Sequence, residues 1–336
     1  MEYDKPHLTL PEQLGKLEGR GLEVADRERA LRLLETVGYY RLSAYAYPFR
    51  ELMPVGQPRE TSVQYRGSGF LPGTKFSLIE DLWAFDRALR LLVLDAIETV
   101  EIAVRSKIGY HLGARDKFAY LSIEYLDSDS CLQPDADEPD RPLYETWRDR
   151  YLHHQNKATA EDFIKHYVEK YDAKLPIWVA TEIMEFGQLV RLFGFMRSDD
   201  QSRVSGDVAG VSGSVFYRWM KVANYVRNVS AHHARLWNRT LTYKLGRIPD
   251  NAPRLTHLNS DTSYRARVYG FCAVLAHMTD LIRPDARWPG RFLELMTEFP
   301  ATAIDVGYTM GMPPGWASLP LWQSESNGQP ALPSSS

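Results

Sequence analysis

Cysteine is scarce in this chain of 336 residues: Cys131 and Cys272 stand far apart and make no metal-ligand spacing. They fit a reducing cytoplasm. No apolar run reaches the roughly 18 residues a membrane span needs. The most apolar stretch, Leu89 to Ile97, is interrupted by charges. The first residues, Met1 to Pro6, are polar and lack the apolar core of a signal peptide. Net charge is only −3, so the protein is not a polycation. Strongly alternating segments and internal repeats are also missing, which argues against a β fold or a solenoid. What remains is a cytoplasmic, mostly α protein with no membrane partner.

At 44% hydrophobic residues the chain can bury a sizeable core, and its length admits one large domain with appendages or two domains. Residues 1–50 read as a small N-terminal helical region, with Ala30, Leu33, Leu34 and Val37 at helical spacing. The tyrosine-dense run Tyr39–Phe49 suits packing on the core better than stacking on bases. Residues 51–76 carry Pro54, Gly56, Pro58, Gly67, Gly69, Pro72 and Gly73, the chemistry of a loop or short hairpin. A helical domain is expected over 77–300. It opens with a long helix from Ser77 to Leu112, Ser77 and Glu80 resembling a capping box. An acidic mobile loop is expected at about 126–142. A helix should start after Pro176 and run to Phe186, with Gly187 as an interruption. Gly206, Gly210 and Gly213 suggest a loop. A further helix is expected from Asn259 to Arg283, then one over Gly290–Glu298, and a disordered tail over 323–336.

Charge is unevenly spread. Tyr217–Leu255 holds eight Lys/Arg against one acid, net +7, whereas Glu124–Asp149 holds nine acids against two arginines, net −7. The basic block is an electrostatic footprint for phosphate. Inside it lies Arg227-Asn228-Val229-Ser230-Ala231-His232-His233-Ala234-Arg235-Leu236-Trp237-Asn238-Arg239. Arginine neutralises phosphate, and histidine moves protons near neutral pH. A single helix is expected from Val215 to Thr240. On it Asn224, Asn228, His232, Arg235 and Arg239 fall within roughly 80° of one another, and Val222, Val226, Val229, His233, Leu236 and Trp237 on the other side. His232 therefore takes the chemistry and His233 packing or a buried hydrogen bond.

Arg227 sits roughly 140° around such a helix from His232, so one copy does not aim both at one spot. Internal cleavage of RNA also needs a base for the 2′-OH and an acid for the 5′ oxygen. Two copies of the helix meeting across a two-fold axis would supply two histidines, which makes a homodimer the expected assembly. In that scheme His232 is the acid–base group, Arg227 binds the scissile phosphate and Asn228 orients it. Arg235, Arg239, Lys221 and Lys244 hold flanking RNA. No carboxylate cluster has metal spacing, so no metal or other cofactor is expected. A non-catalytic protein that holds a structured small RNA on the same stripe is the alternative.

Arg227-Asn228 with His232 resembles the RNase signature of the HEPN superfamily. The wider chain resembles the Abi_2 group, the AbiD/AbiF-like abortive-infection proteins of bacteria. The matching pieces are Gly38–Tyr45, Phe85–Arg90, Ile97-Glu98 with Glu101 and Arg105, Pro176–Val179 with Glu182 and Phe186-Gly187, and the Arg227–Arg239 motif. The resemblance implies an α-helical HEPN-like bundle, phage defence, RNA as target or bound small RNA, and a dimeric metal-independent RNase site. His233, Glu98, Glu101 and Arg105 would support that site.

Other groupings carry less. Arg105 and His111 form a second arginine–histidine pair, but Glu101 is placed one turn back to pair with Arg105. His153, His154 and His166 fit no standard metal spacing. Glu182 reads as an arginine's buried partner rather than an acid–base group. Gly67-x-Gly69 signals a turn only.

Overall fold

The computed structural model describes residues 6–54, 56–59, 61, 64–302 and 304–323. The expected tail, from residue 324 on, lies outside them. The fold is mostly α. The described residues form two units, one of residues 6–89 with 295–306 and one of 90–294 with 307–323.

In the first unit, α1 (Leu10–Glu18), α2 (Arg27–Val37) and α3 (Tyr39–Ala46) precede a small antiparallel sheet of β1 (Arg50–Leu52) and β2 (Arg66–Phe70), where Arg50 pairs with Phe70 and Leu52 with Arg66. Thr9 and Glu12 form a capping box on α1, and the Asp26 side chain accepts from the Arg29 amide to start α2. Helix α4 (Phe76–Gly113) gives this unit its first turns, burying Ile79, Leu82, Phe85 and Leu89. It begins at Phe76, so Ser77 stands inside it rather than as its cap. The tyrosine run is packing, as its sequence suits: the buried Tyr45 hydroxyl donates to Asp86 Oδ2 at 2.6 Å. Tyr40 alone of that run is almost fully exposed, at 90%.

The second unit continues α4 and adds α5 (Ser128–Cys131), α6 (Leu143–Lys157), α7 (Asp162–Tyr171), α8 (Ile177–Ile183), α9 (Phe186–Phe195), α10 (Ser198–Ala209), α11 (Gly213–Ala231), α12 (Thr262–Ala266), α13 (Val268–Ile282) and α14 (Trp288–Thr297). A short α15 (Val306–Met310) follows; residues 295–297 of α14 and Val306 of α15 belong to the first unit. Every residue of α13 from Val268 to Thr279 is buried, so this helix is the centre of the core. Beyond it Trp288, Phe292, Trp316, Trp322 and Tyr269 form one aromatic cluster, with Phe292 and Trp322 stacked at 4.8 Å.

Several expected boundaries move. The glycine loop is instead helix α10, because Val204, Ser205, Val208 and Ala209 bury one face and only Gly210 leaves the helix, at φ +64°. The interruption falls at Met184 and Glu185, not Gly187, because Glu185 and Gln188 cap α9 reciprocally. The helix from Asn259 is broken at Arg267. The acidic segment is folded, not mobile: the Asp127 side chain caps α5, Asp135 is buried on Thr146, and Arg141 pairs with Glu138 and Asp149. Hydrogen bonds of single carboxylates, not hydrophobic period, order it.

One buried histidine sets an acid limit on this unit. His277 Nε2 donates to the Ala209 carbonyl at 2.9 Å, and its Nδ1 has no partner among the described residues. Burial pushes the imidazole below its ordinary value, the Ala209 bond opposing and Arg254 adding to the effect. The unfolded chain then takes up a proton that the folded one refuses. The contribution is fully present above about pH 6.5 and shrinks as pH falls from there towards the lowered value. Denaturant midpoints between pH 7 and 5 should fall more steeply for the wild type than for His277→Gln.

Candidate functional site

The basic motif is not one helix. α11 ends at Ala231, and His232 is its C-cap. The His233 amide bonds to Ser230 O and the Ala234 amide to Val229 O, both at 3.0 Å, the pair of bonds of a Schellman closure. The residue at the turning position is His233, at φ +58°. His233 is exposed, so its assignment to packing or a buried hydrogen bond is corrected: it sits where glycine usually sits. Replacing it removes a left-handed side-chain cost of roughly 1–2 kcal/mol, partly offset by glycine's entropy. His233→Gly should therefore raise unfolding stability by about 0.5–1 kcal/mol in denaturant titrations.

After the turn the chain folds back. Leu236 and Trp237 are fully buried, Leu241 N donates to Ala266 O at 2.8 Å, and Tyr243 comes beside Tyr225, ring centroids 5.9 Å apart. Two of the five expected stripe residues leave the helix with it. Arg239 Nε donates to Arg235 O at 2.8 Å and its Nη1 to the Tyr225 hydroxyl at 3.2 Å, so Arg239 staples the returning segment to α11.

Asn224, Asn228 and His232 keep their common face, being one turn apart. Together with Tyr217, Lys221, Tyr225 and Val229 they form one wall of a cleft of 440 Å³. Gly187, Val190 and Arg191 of α9 form the opposite wall, and Tyr243 adds to the lining. The helices run antiparallel and close. A Cβ on Gly187 would meet the Asn224 amide at 3.4 Å, and one on Gly194 would meet the Tyr217 hydroxyl at 2.8 Å. These two glycines, seven apart on α9, let α11 approach.

The described lining of the cleft has no carboxylate. Lys221 lies 4.6 Å from the Tyr217 ring centroid. Burial, and then the charges of Arg191 and Arg218, hold the Lys221 ammonium below the usual lysine range. Burial would raise the Tyr225 phenol, but hydrogen bonds with Thr242 and Arg239 and the Arg239 charge outweigh it, and its value is lowered. Cationic neighbours thus contribute to both shifts, behind burial at Lys221 and behind the Thr242 hydrogen bond at Tyr225.

The remaining expected residues scatter. Arg227 is half-buried outside the lining, its Nη1 3.5 Å from Asn228 Oδ1. Lys244 is exposed and outside it too. Glu101 pairs with Arg105, which also donates to Thr181 O, while His111 Nε2 and Lys107 bind Asp207 at 3.0 and 2.9 Å. Arg105 and His111 are thus occupied separately and make no second half-site. Glu98 and Glu182 are exposed, so Glu182 is not a buried partner of an arginine. His153, His154 and His166 do not gather: among the described residues no group of three or more His, Cys, Asp or Glu could hold a metal. Arg191, Tyr217, Tyr225 and Tyr243 were not singled out from sequence. Arg191 had a signal, as the one charged residue in the apolar helix Phe186–Phe195.

Fold and cleft together define a mostly α-helical protein with a basic and aromatic groove that carries an exposed histidine and has no carboxylate among its described lining residues. The chain belongs to the Abi-like protein family, whose model matches residues 32–238. Membership associates it with abortive infection, a phage-defence response. No curated protein and no solved structure gave a match. The matched span holds every lining residue except Tyr243, and leaves out the core helix α13. Among the described residues no helix is long and apolar enough to cross a membrane.

Proposed function

We propose that the protein is a cytoplasmic, HEPN-type endoribonuclease of phage defence, working as a homodimer at the cleft between α9 and α11. The observation that carries this reading is the exposed His232 in a groove lined by Arg191 and Lys221 and by no described carboxylate. Such a groove attracts a polyanion, and the histidine places a proton carrier on it. The 2′-oxygen attacks phosphorus while a histidine takes its proton. The bond from phosphorus to the 5′ oxygen breaks, and that oxygen receives a proton from a second histidine. The products are a 2′,3′-cyclic phosphate and a 5′-hydroxyl. Arg227 stabilises the charge on the phosphorane-like transition state.

Arg227 stands outside the lining that includes His232 of its own chain. That favours a site completed by a second copy. The test is incubation of purified protein with total bacterial RNA in EDTA, followed by mapping of the cut ends. Cyclic phosphate ends support the reading. RNA bound but uncut, across a titration of protein concentration, favours a protein that only holds RNA.

A further inference from the structure

We infer that the cleft between α9 and α11 seats one unpaired RNA nucleotide, its base against Tyr225 and Tyr243 and its phosphate on Arg191 and Lys221, with Asn224 reading the base edge. This rests on RNA being the partner and names which form of it the site takes.

Three observations carry the assignment. First, two cations share one cleft, although Arg191 also lines the neighbouring cavity, where its charge acts on Asp135. Lys221 and Arg191 line one cleft with no described carboxylate, and among the described residues neither is within ion-pair distance of one. Their mutual repulsion is relieved by an anion seated between the walls.

Second, the aromatic side is built and held. The Tyr225 ring is tied through its hydroxyl to Arg239, and Tyr243 leans on it at 5.9 Å and 70°, itself 48% exposed. An edge-to-face pair with one open face offers a stacking surface to a base. The cleft volume of 440 Å³ lies in the range of small-ligand pockets and suits a single nucleotide rather than a helix.

Third, Asn224 presents an amide with no hydrogen-bond partner among the described residues, in space that a Cβ on Gly187 would narrow to 3.4 Å. An amide offers a donor and an acceptor together, the pattern of a base edge. In a duplex that edge is already paired and the ring faces are already stacked, so only a splayed-out base can use both surfaces.

The test uses full-length protein and 2′-O-methyl RNA, which cannot be cut by its own 2′ oxygen. Binding of a fluorescent single strand and of the same strand in a duplex is followed by anisotropy at several salt concentrations. The single strand should bind more tightly than the duplex. Tyr243→Ala should weaken it by roughly 5- to 150-fold, the range of a lost base–aromatic stack. Asn224→Ala should level the preferences among homopolymers. Arg191→Gln and Lys221→Gln should each lower the salt slope by about 0.7. Unchanged circular dichroism and thermal midpoints show that each variant folds.

Equal binding of duplex and single strand overturns the inference. So does unchanged affinity in Tyr243→Ala and Asn224→Ala, or no binding by the wild type. Because the probe is uncleavable, the nuclease reading fails or stands separately. Binding at the cleft without cleavage of ordinary RNA removes catalysis and keeps the seat. His232-dependent cleavage with a binding profile blind to Asn224 and Tyr243 does the reverse.

Discussion

His232→Ala should lose at least 100-fold in RNA cleavage rate while holding a non-cleavable RNA nearly as well as the wild type. General acid–base groups supply roughly 10²–10⁴ of rate, and both proton transfers of the reaction fall on this residue. The imidazole is exposed at the C-cap of α11, and its amide, not its ring, holds the helix end through Asn228 O at 3.0 Å. Truncating the ring therefore leaves the closure intact. Arg227→Ala should fall by a comparable factor, since removing one donor to a developing oxyanion costs roughly 10²–10³. It should also lower affinity modestly, as a lost phosphate contact. Single-turnover cleavage of a labelled RNA in EDTA, beside anisotropy on its 2′-O-methyl form, separates the two effects. If His232→Ala cuts like the wild type, the assignment of the acid–base group is wrong. A loss of binding equal to the loss of cleavage would make this a residue that only holds RNA.

Much of the architecture follows from periodicity and punctuation. The long helix α4 and the start of α8 after Pro176 follow from apolar spacing and the N-terminal tolerance for proline. The end of α11 does not, because the sequence from His232 to Arg239 carries helical spacing and no glycine. The turn is made by a histidine in the left-handed region, which is a tertiary outcome. Burial of Leu236 and Trp237 pulls the chain back into the core, and that gain outweighs continuing the helix. The site was legible to the same degree. Asn224, Asn228 and His232 share a face by arithmetic on α11. Arg191 and Tyr243 arrive from other elements, and no spacing rule within one helix brings them in. The approach that makes the cleft depends on Gly187 and Gly194, whose meaning appears only when α11 is set against them.

A homodimer that shares two histidines makes a second large effect expected. When wild type is mixed with excess His232→Ala and allowed to exchange subunits, cleavage should follow the square of the wild-type fraction. Each mixed dimer then holds one histidine where the reaction needs a base on the 2′-OH and an acid on the 5′ oxygen, and one imidazole is poorly placed to serve both sides. The mutant subunit acts as a poison although it folds and binds RNA. A protomer that works alone gives instead a strictly proportional fall. The position of Arg227 sharpens the contrast: it lies outside its own chain's cleft lining, and among the described residues its one side-chain hydrogen bond is the long contact to Asn228 Oδ1 at 3.5 Å. A guanidinium held that loosely can turn to a phosphate presented by a neighbouring copy at small cost. Specific activity should likewise drop on dilution through the dimer dissociation range, read by sedimentation alongside cleavage. Proportional dilution together with concentration-independent specific activity would place the whole reaction on one chain, with His232 serving both proton transfers in turn.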